Sequence, residues 1–130
     1  MKLITFASFK GGAGKTTAVM AVTSALSQKG KQVALIDADE NMPLVEWRDT
    51  ALKAGTWSDD VSVYGADDLR SFEQAFEDSA SNGFNYAIID TRGGGSELNN
   101  ACLKIGQFKK LLQPWNERIN QYCDEANYKK

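Results

Sequence analysis

Three short apolar runs, spread over the first 91 residues, most constrain the fold of this 130-residue chain. They read KLITFASF, QVALIDAD and NYAIIDT, and none has the strict polar alternation of a strand with one solvated face. Such nearly continuous runs are typical of strands that are buried on both faces of a parallel sheet. A weaker run, DVSVYGA over residues 60–66, predicts a more peripheral strand.

The segments between these runs have the character of helices. Residues 16–29 carry apolar side chains at helical spacing and are followed by a glycine. A second helix is predicted to begin at Pro43 and to run to about Lys53. A third is predicted after a cap at Asp67 or Asp68. Strands that alternate with helices of this length predict an α/β fold, a doubly wound and mainly parallel sheet.

The character of the chain changes near residue 103. Residues 1–103 carry 9 Lys or Arg and 14 Asp or Glu, whereas residues 104–130 carry 6 and 3. No further buried strand pattern follows, and NERINQYCDEANYKK predicts a polar amphipathic helix or a poorly ordered end. We therefore expect an α/β unit over residues 1–102 and a divergent tail over residues 103–130.

Composition excludes several classes of function. The chain has no histidine, which rules out His-based metal sites and Ser-His or Cys-His catalysis. Its net charge of -2 argues against a strongly basic nucleic-acid module. Cys102 and Cys123 lack metal-type spacing and indicate reduced thiols. No apolar run is long enough to cross a bilayer and the N terminus lacks a signal-peptide pattern, so we expect a cytoplasmic protein.

The stretch SFKGGAGKTT lies between the first predicted strand and the first predicted helix, where a phosphate loop belongs. Its glycines let backbone amides approach phosphate oxygens at the positive end of a helix. Lys15 would contact the β- and γ-phosphates of ATP, and the Thr16 hydroxyl would bind Mg²⁺. The standard motif G-x-x-x-x-G-K-[ST] requires a glycine where this chain has Phe9, next to Lys10.

Three aspartates follow the second and third apolar runs. Asp37 and Asp39 stand at the end of QVALIDAD, and strand alternation would point both carboxylates to the same side. They would hold Mg²⁺ through water and orient the attacking water. Asp90 ends YAIID, a Walker B pattern whose carboxylate completes the Mg²⁺ shell. The glycines at 93–95 would form a loop that senses the γ-phosphate.

KGGAGKTT resembles the deviant Walker A box, K-G-G-x-G-K-[ST]-T, of the ParA/MinD group of P-loop ATPases. The resemblance implies that Lys10 reaches the partner's phosphates across an ATP-dependent dimer, beside Lys15. DADEN matches the group's D-x-D-P-Q box imperfectly, which implies that Asp39 positions the hydrolytic water. IIDTRGG matches its D-T-x-G-G form. The implied nucleotide-binding residues are Gly11, Gly12, Ala13, Gly14, Lys15, Thr16 and Thr17, and the implied metal residues are Thr16, Asp37 and Asp90.

Longer stretches are similar to the VirC branch, ParA-like accessory proteins of T-DNA transfer. These stretches are MKLITFASFKGGAGKTTAVM, LIDADENMPLVEWRDTALKAGTW and TRGGGSELNN. This resemblance implies an ATP-binding, dimerising switch in plasmid segregation or T-DNA transfer. Such a protein would bind DNA beside the T-DNA border and bring it, with relaxase and other transfer proteins, to the secretion machinery at the cell pole. On residue grounds alone, Trp47 and Trp57 are simply packing aromatics.

Two other functions remain open on sequence. The likeness extends from Met1 to about Ala101, and the tail resembles no part of the family. The chain would then be a truncated, hydrolysis-deficient fragment or a regulatory paralogue, and ATPase turnover is left undecided. The third possibility is a P-loop metabolic enzyme that uses ATP on a small molecule, since the deviant box occurs in that class as well.

Overall fold

The computed structural model describes residues 1–7, 14–91 and 100. The predictions for Lys10, Gly11, Gly12 and Ala13, for the glycines at 93–95, and for the tail beyond residue 102 lie outside these residues.

Strands and helices alternate along the described part of the chain. The four strands are β1 (Lys2–Phe6), β2 (Val33–Ala38), β3 (Val61–Gly65) and β4 (Tyr86–Thr91). The three helices are α1 (Lys15–Gln28), α2 (Pro43–Lys53) and α3 (Leu69–Ser81). The predicted α/β alternation is confirmed: α1 and α2 begin and end within two residues of their predicted limits, and α3 begins directly after one of its two predicted caps.

The strands form one parallel sheet in the order β1-β4-β2-β3. β2 lies inside the sheet and all six of its residues are buried, as its continuous apolar run predicts. β3 pairs only with β2 among the described strands and so lies at an edge, which confirms its peripheral position.

Helices cover both faces of the sheet, the arrangement of a doubly wound fold. On one face, Phe72 and Ala75 of α3 pack against Leu3, Ile36 and Ile89. On the other, α1 and α2 bring their buried side chains against the opposite set of strand residues, which are Val33, Leu35, Val61 and Ile88. Strand alternation explains the division, because successive side chains point to opposite faces.

The third helix begins with a capping box. Asp68 is its N-cap, and its Oδ1 accepts a hydrogen bond of 2.7 Å from the Ser71 backbone N–H. The Ser71 hydroxyl in turn accepts from the Asp68 backbone N–H, which completes a capping box. The hydrogen bonds that the Asp68 carboxylate accepts from the Ser71 backbone N–H and from the Ser71 hydroxyl lower the pKa of Asp68. Of the two predicted caps, Asp68 is the one used.

Side chains protect the outer edge of β3. The indole N–H of Trp57 donates to the Val61 carbonyl at 3.0 Å, and the Arg48 guanidinium donates to the Val63 carbonyl at 3.3 Å. Trp57 also packs edge to face on Trp47, with ring centroids 5.1 Å apart. Both tryptophans therefore pack within the fold, and these contacts occupy edge carbonyls that would otherwise be open to a further strand.

Candidate functional site

Asp37 and Asp90 meet where the central strands end. They are register partners on β2 and β4, so their Cα atoms lie side by side. Strand alternation puts both side chains on the face of the sheet that α1 and α2 cover, which is also the face of Leu35 and Ile88. Because α1 and α2 begin at this edge, two carboxylates are brought to two helix N termini.

Asp90 is bound to the first turn of α1. The Thr16 hydroxyl donates to Asp90 Oδ2 at 2.6 Å, between residues 74 positions apart in the chain. Asp90 is only 1% exposed, and its second oxygen, Oδ1, is buried without a hydrogen-bond partner in the described structure. A buried carboxylate oxygen without a partner is costly unless a ligand or cation satisfies it.

The pKa of Asp90 reflects this position. Burial raises the pKa above its usual value of 3.8, and the Asp39 carboxylate adds to the rise. The Thr16 hydrogen bond and the Lys15 ammonium act in the opposite direction. Lys15, Thr16 and Asp39 each act on Asp90, although the four residues come from three separate segments.

Asp37 caps the second helix. Its carboxylate is fully buried, and Oδ2 accepts hydrogen bonds from the backbone N–H groups of Leu44 at 2.8 Å and Val45 at 3.2 Å. Its other oxygen, Oδ1, accepts from the Asp39 N–H at 3.4 Å. A carboxylate at this end of a helix interacts favourably with the helix dipole. Ligation of a metal ion by Asp37 stays a prediction.

The buried Asp37 is expected to make stability depend on pH. Burial raises its pKa from 3.8 to about 6, against the lowering effect of its three backbone hydrogen bonds. A carboxyl with a raised folded-state pKa stabilises the fold most when protonated, and this stabilisation is lost as pH rises through about 6. The loss between pH 4.5 and 7 amounts to about 2 kcal/mol.

Urea unfolding of the wild type and of Asp37→Asn at both pH values measures this effect. We compare the free energy of unfolding of the variant with that of the wild type. From pH 4.5 to pH 7, this difference should shift by about 2 kcal/mol in favour of the variant. Effects of other carboxyl groups cancel in that difference. Parallel pH profiles of the two proteins would contradict the raised pKa.

Asp39 lies in the turn after β2 rather than in the strand. β2 ends at Ala38, so Asp39 follows the strand instead of ending it, and strand alternation does not set its direction. That its carboxylate points to the same side as that of Asp37 stays a prediction. Asp39 Oδ1 accepts the Asn41 N–H at 2.9 Å, and its carbonyl accepts the Met42 N–H at 3.0 Å. Asn and Asp side chains commonly hold turns in this way.

The N terminus of α1 has no side-chain cap. Gly14 occupies the N-cap position with φ 78°, a conformation that favours glycine. No acidic residue lies in the first turn, and no side chain caps it as Asp68 caps α3. A helix start of this kind, with a lysine and a threonine in its first turn, can receive an anion such as phosphate.

The described residues contain no cluster of three or more acidic or sulfur ligands that would bind a metal alone. Mg²⁺, however, is usually held by one or two carboxylates together with phosphate oxygens and waters. The Thr16 hydroxyl and the unpartnered Asp90 Oδ1 fit that mode of binding. None of the helices in the described residues is long and apolar enough to span a membrane.

Two features of the site were not predicted from the sequence, the left-handed backbone of Met42 and the capping role of Asp37. The backbone of Met42 is left-handed, with φ 49°, which is costly for a residue other than glycine. Its Sδ lies so near Gly65 that a β-carbon there would be 3.3 Å away. The capping role of Asp37 had a partial signal, since a strand-ending aspartate precedes Pro43, the first residue of a helix.

Comparison with known proteins identifies the family. A family profile described as VirC1 protein matches residues 1–114. The chain is 55% identical to Protein virC1 of Rhizobium radiobacter and 53% identical to that of Rhizobium rhizogenes, each over 103 residues. These alignments cover 79% of this chain and 45% of each relative, so the chain spans about half the length of the curated relatives it matches.

The fold has a solved counterpart. A plasmid partition protein from Borrelia burgdorferi matches with a TM-score of 0.58 at 16% identity, covering 97% of this chain and 74% of that one. This likeness confirms the predicted fold class. A stretch of 39 residues is also 51% identical to an uncharacterized ATP-binding protein of Methanocaldococcus jannaschii. On the extent of the profile match, the chain belongs to the VirC1 protein family.

Proposed function

We propose that this chain binds Mg²⁺ and ATP at the edge of the sheet where α1 begins, as part of a ParA-like switch in plasmid or T-DNA transfer. The observation that carries the proposal is the 2.6 Å contact between Thr16 and Asp90, beside an unpartnered carboxylate oxygen. It joins a first-turn hydroxyl to a strand-ending carboxylate, the two groups that a phosphate-loop protein uses to hold Mg²⁺.

The phosphates of ATP would lie at the N terminus of α1. Backbone amides of residues 11–17 would surround them, and Lys15 would supply positive charge. The ion would be held by Thr16 and by Asp90, whereas Asp37 Oδ2 already accepts two backbone N–H groups. When bound, Mg²⁺ would neutralise charge on the phosphates and on these carboxylates.

Asp39 is the proposed residue for hydrolysis. Its carboxylate acts on the pKa of Asp90, so it lies near the proposed ion, and it sits in a turn rather than in the rigid strand. From there it would orient a water molecule toward the γ-phosphate. Lys10 is proposed to contribute from the second subunit of a dimer.

The biological role is proposed from the relatives. Two of them are named virC1, and a structural neighbour is a plasmid partition protein. We propose that the ATP and ADP states differ in self-association, and hence in affinity for DNA and for transfer proteins. A second candidate is a regulatory chain of the same family that binds nucleotide without turnover.

Nucleotide-dependent self-association tests the switch. In sedimentation velocity, the 14.3 kDa chain should double in mass with Mg²⁺ and a slowly hydrolysed ATP analogue, but not with ADP. Lys10→Ala should remain monomeric, and the exposed Lys31→Ala should behave like the wild type. A monomer under every condition would contradict the switch and leave the regulatory candidate. Dimerisation that is independent of Lys10 would contradict its role in trans.

A further inference from the structure

The segment from Asp39 to Val45 connects the proposed reaction site to α2. One buried side chain accepts hydrogen bonds from both ends of this segment. Asp37 accepts the backbone N–H of Asp39 at its start and those of Leu44 and Val45 at its end. A single carboxylate therefore ties together the two ends of the loop that carries Asp39.

The loop between these ties has one defined conformation. Asp39 accepts the backbone N–H groups of Asn41 and Met42, and Met42 accepts that of Glu46 to begin the helix. Met42 has left-handed backbone angles, φ 49° and ψ 50°, and its sulfur packs on Gly65 of the neighbouring strand. A methionine holds such angles only when the surrounding contacts fix them.

The position of this loop matters because Asp39 acts on Asp90. The Asp39 carboxylate contributes to the raised pKa of Asp90, whose other oxygen binds Thr16. Movement of the loop would therefore change the distance between Asp39 and the Thr16–Asp90 pair. Asp37 has little spare capacity for an ion, because Oδ2 accepts two N–H groups and the side chain is fully buried.

We infer that Asp37 is a positioning residue: its carboxylate fixes the Asp39 loop against the start of α2 and does not ligate the metal ion. The inference rests on the proposed function for the identity of the reaction, ATP hydrolysis, but not for the tie itself. Asp37 acts on the reaction through Asp39.

Hydrogen exchange of the nucleotide-free chain tests the tie. Asp37→Ala should speed exchange at Leu44 and Val45 at least tenfold. It should speed exchange at Asn41 and Met42 by the same factor, although the amides of these two residues do not touch Asp37. Exchange in β4 should stay unchanged. A matched control is Asp68→Ala, which removes the cap of α3 and should affect only that helix. Faster exchange confined to Leu44 and Val45 would mean a helix cap only and would overturn the inference.

Single-turnover hydrolysis with Mg²⁺ separates positioning from metal binding. Asp37→Ala should lower the rate about 10- to 100-fold while the half-saturating Mg²⁺ and ATP concentrations stay within about threefold. Asp37→Asn keeps one oxygen for the cap and should retain an intermediate rate. The double variant with Asp39→Ala should be no slower than Asp39→Ala alone, since one residue acts through the other.

Three results would overturn the inference: a tenfold rise in half-saturating Mg²⁺ in Asp37→Ala, additive losses in the double variant, or equal losses in the alanine and asparagine variants. A wild-type chain that neither binds nor hydrolyses ATP would defeat the proposed function instead. The exchange experiment would then still decide whether Asp37 holds the loop. Circular dichroism of each variant identifies any that fails to fold, and Asp37→Asn is the substitute if the alanine variant does.

Discussion

Asp90→Asn is expected to abolish Mg²⁺-dependent tightening of ATP binding while leaving the nucleotide-free chain at least as stable as the wild type. The asparagine oxygen can still accept the Thr16 hydroxyl, so the 2.6 Å contact is retained. The substitution removes a carboxyl group whose pKa is raised by burial. The folded chain therefore no longer contains a buried charge that lowers its stability. The same charge would attract the ion, so Mg²⁺ should no longer tighten ATP binding in the variant. The ATP affinity in Mg²⁺ should therefore fall by about 100-fold relative to the wild type.

Calorimetric titration with ATP, in Mg²⁺ and in EDTA, measures the first effect, and urea unfolding measures the second. The exposed Asp59→Asn makes the same change in charge away from the site and should match the wild type in both. Equal tightening by Mg²⁺ in wild type and Asp90→Asn would show that the ion is held elsewhere. A large loss of stability would show that the Asp90 charge is satisfied within the fold.

Phe72→Ala is expected to lower the free energy of unfolding by about 3–5 kcal/mol. Phe72 is the largest fully buried side chain among the residues that the structure describes, and it packs from α3 against the face of the sheet opposite the site. Its removal leaves a cavity among residues of β1, β2 and β4 that cannot fully collapse. Since whole domains are stable by only about 5–15 kcal/mol, this change alone would bring the chain close to unfolding.

Urea unfolding followed by tryptophan fluorescence measures this loss, because the Trp47–Trp57 pair lies on the other side of the sheet and reports global unfolding. Glu73→Ala, the exposed neighbour on the same helix, should change stability by less than about 0.5 kcal/mol. A loss below about 1 kcal/mol for Phe72→Ala would contradict a core that depends on the packing of α3.

Much of this fold follows from local patterns. Continuous apolar runs placed β2 and β4 inside the sheet, the weaker DVSVYGA run placed β3 at an edge, and Pro43 marked the start of α2. These features depend on neighbouring residues along the chain, which a sequence displays directly. The end of each strand before its aspartate also predicted which edge of the sheet holds the site.

The sequence was less informative where distant segments meet. Nothing local predicts that β4 inserts between β1 and β2, although that order makes Asp37 and Asp90 register partners. Asp39 lies in the turn after β2 because the strand ends one residue earlier than the alternation argument assumed. The left-handed Met42 depends on its contact with Gly65, more than twenty positions away, and methionine has no preference for such angles.

Binding of a fluorescent ATP analogue to the purified chain, with Mg²⁺ and with EDTA, tests the central claim most directly. The proposed site predicts saturable, Mg²⁺-dependent binding that Lys15→Ala weakens by about 10- to 100-fold, the worth of a charged contact to phosphate. Lys29→Ala, at the other end of the same helix, should bind like the wild type. A folded chain that binds no nucleotide, or that binds equally well without Lys15, would contradict an ATP site at the start of α1.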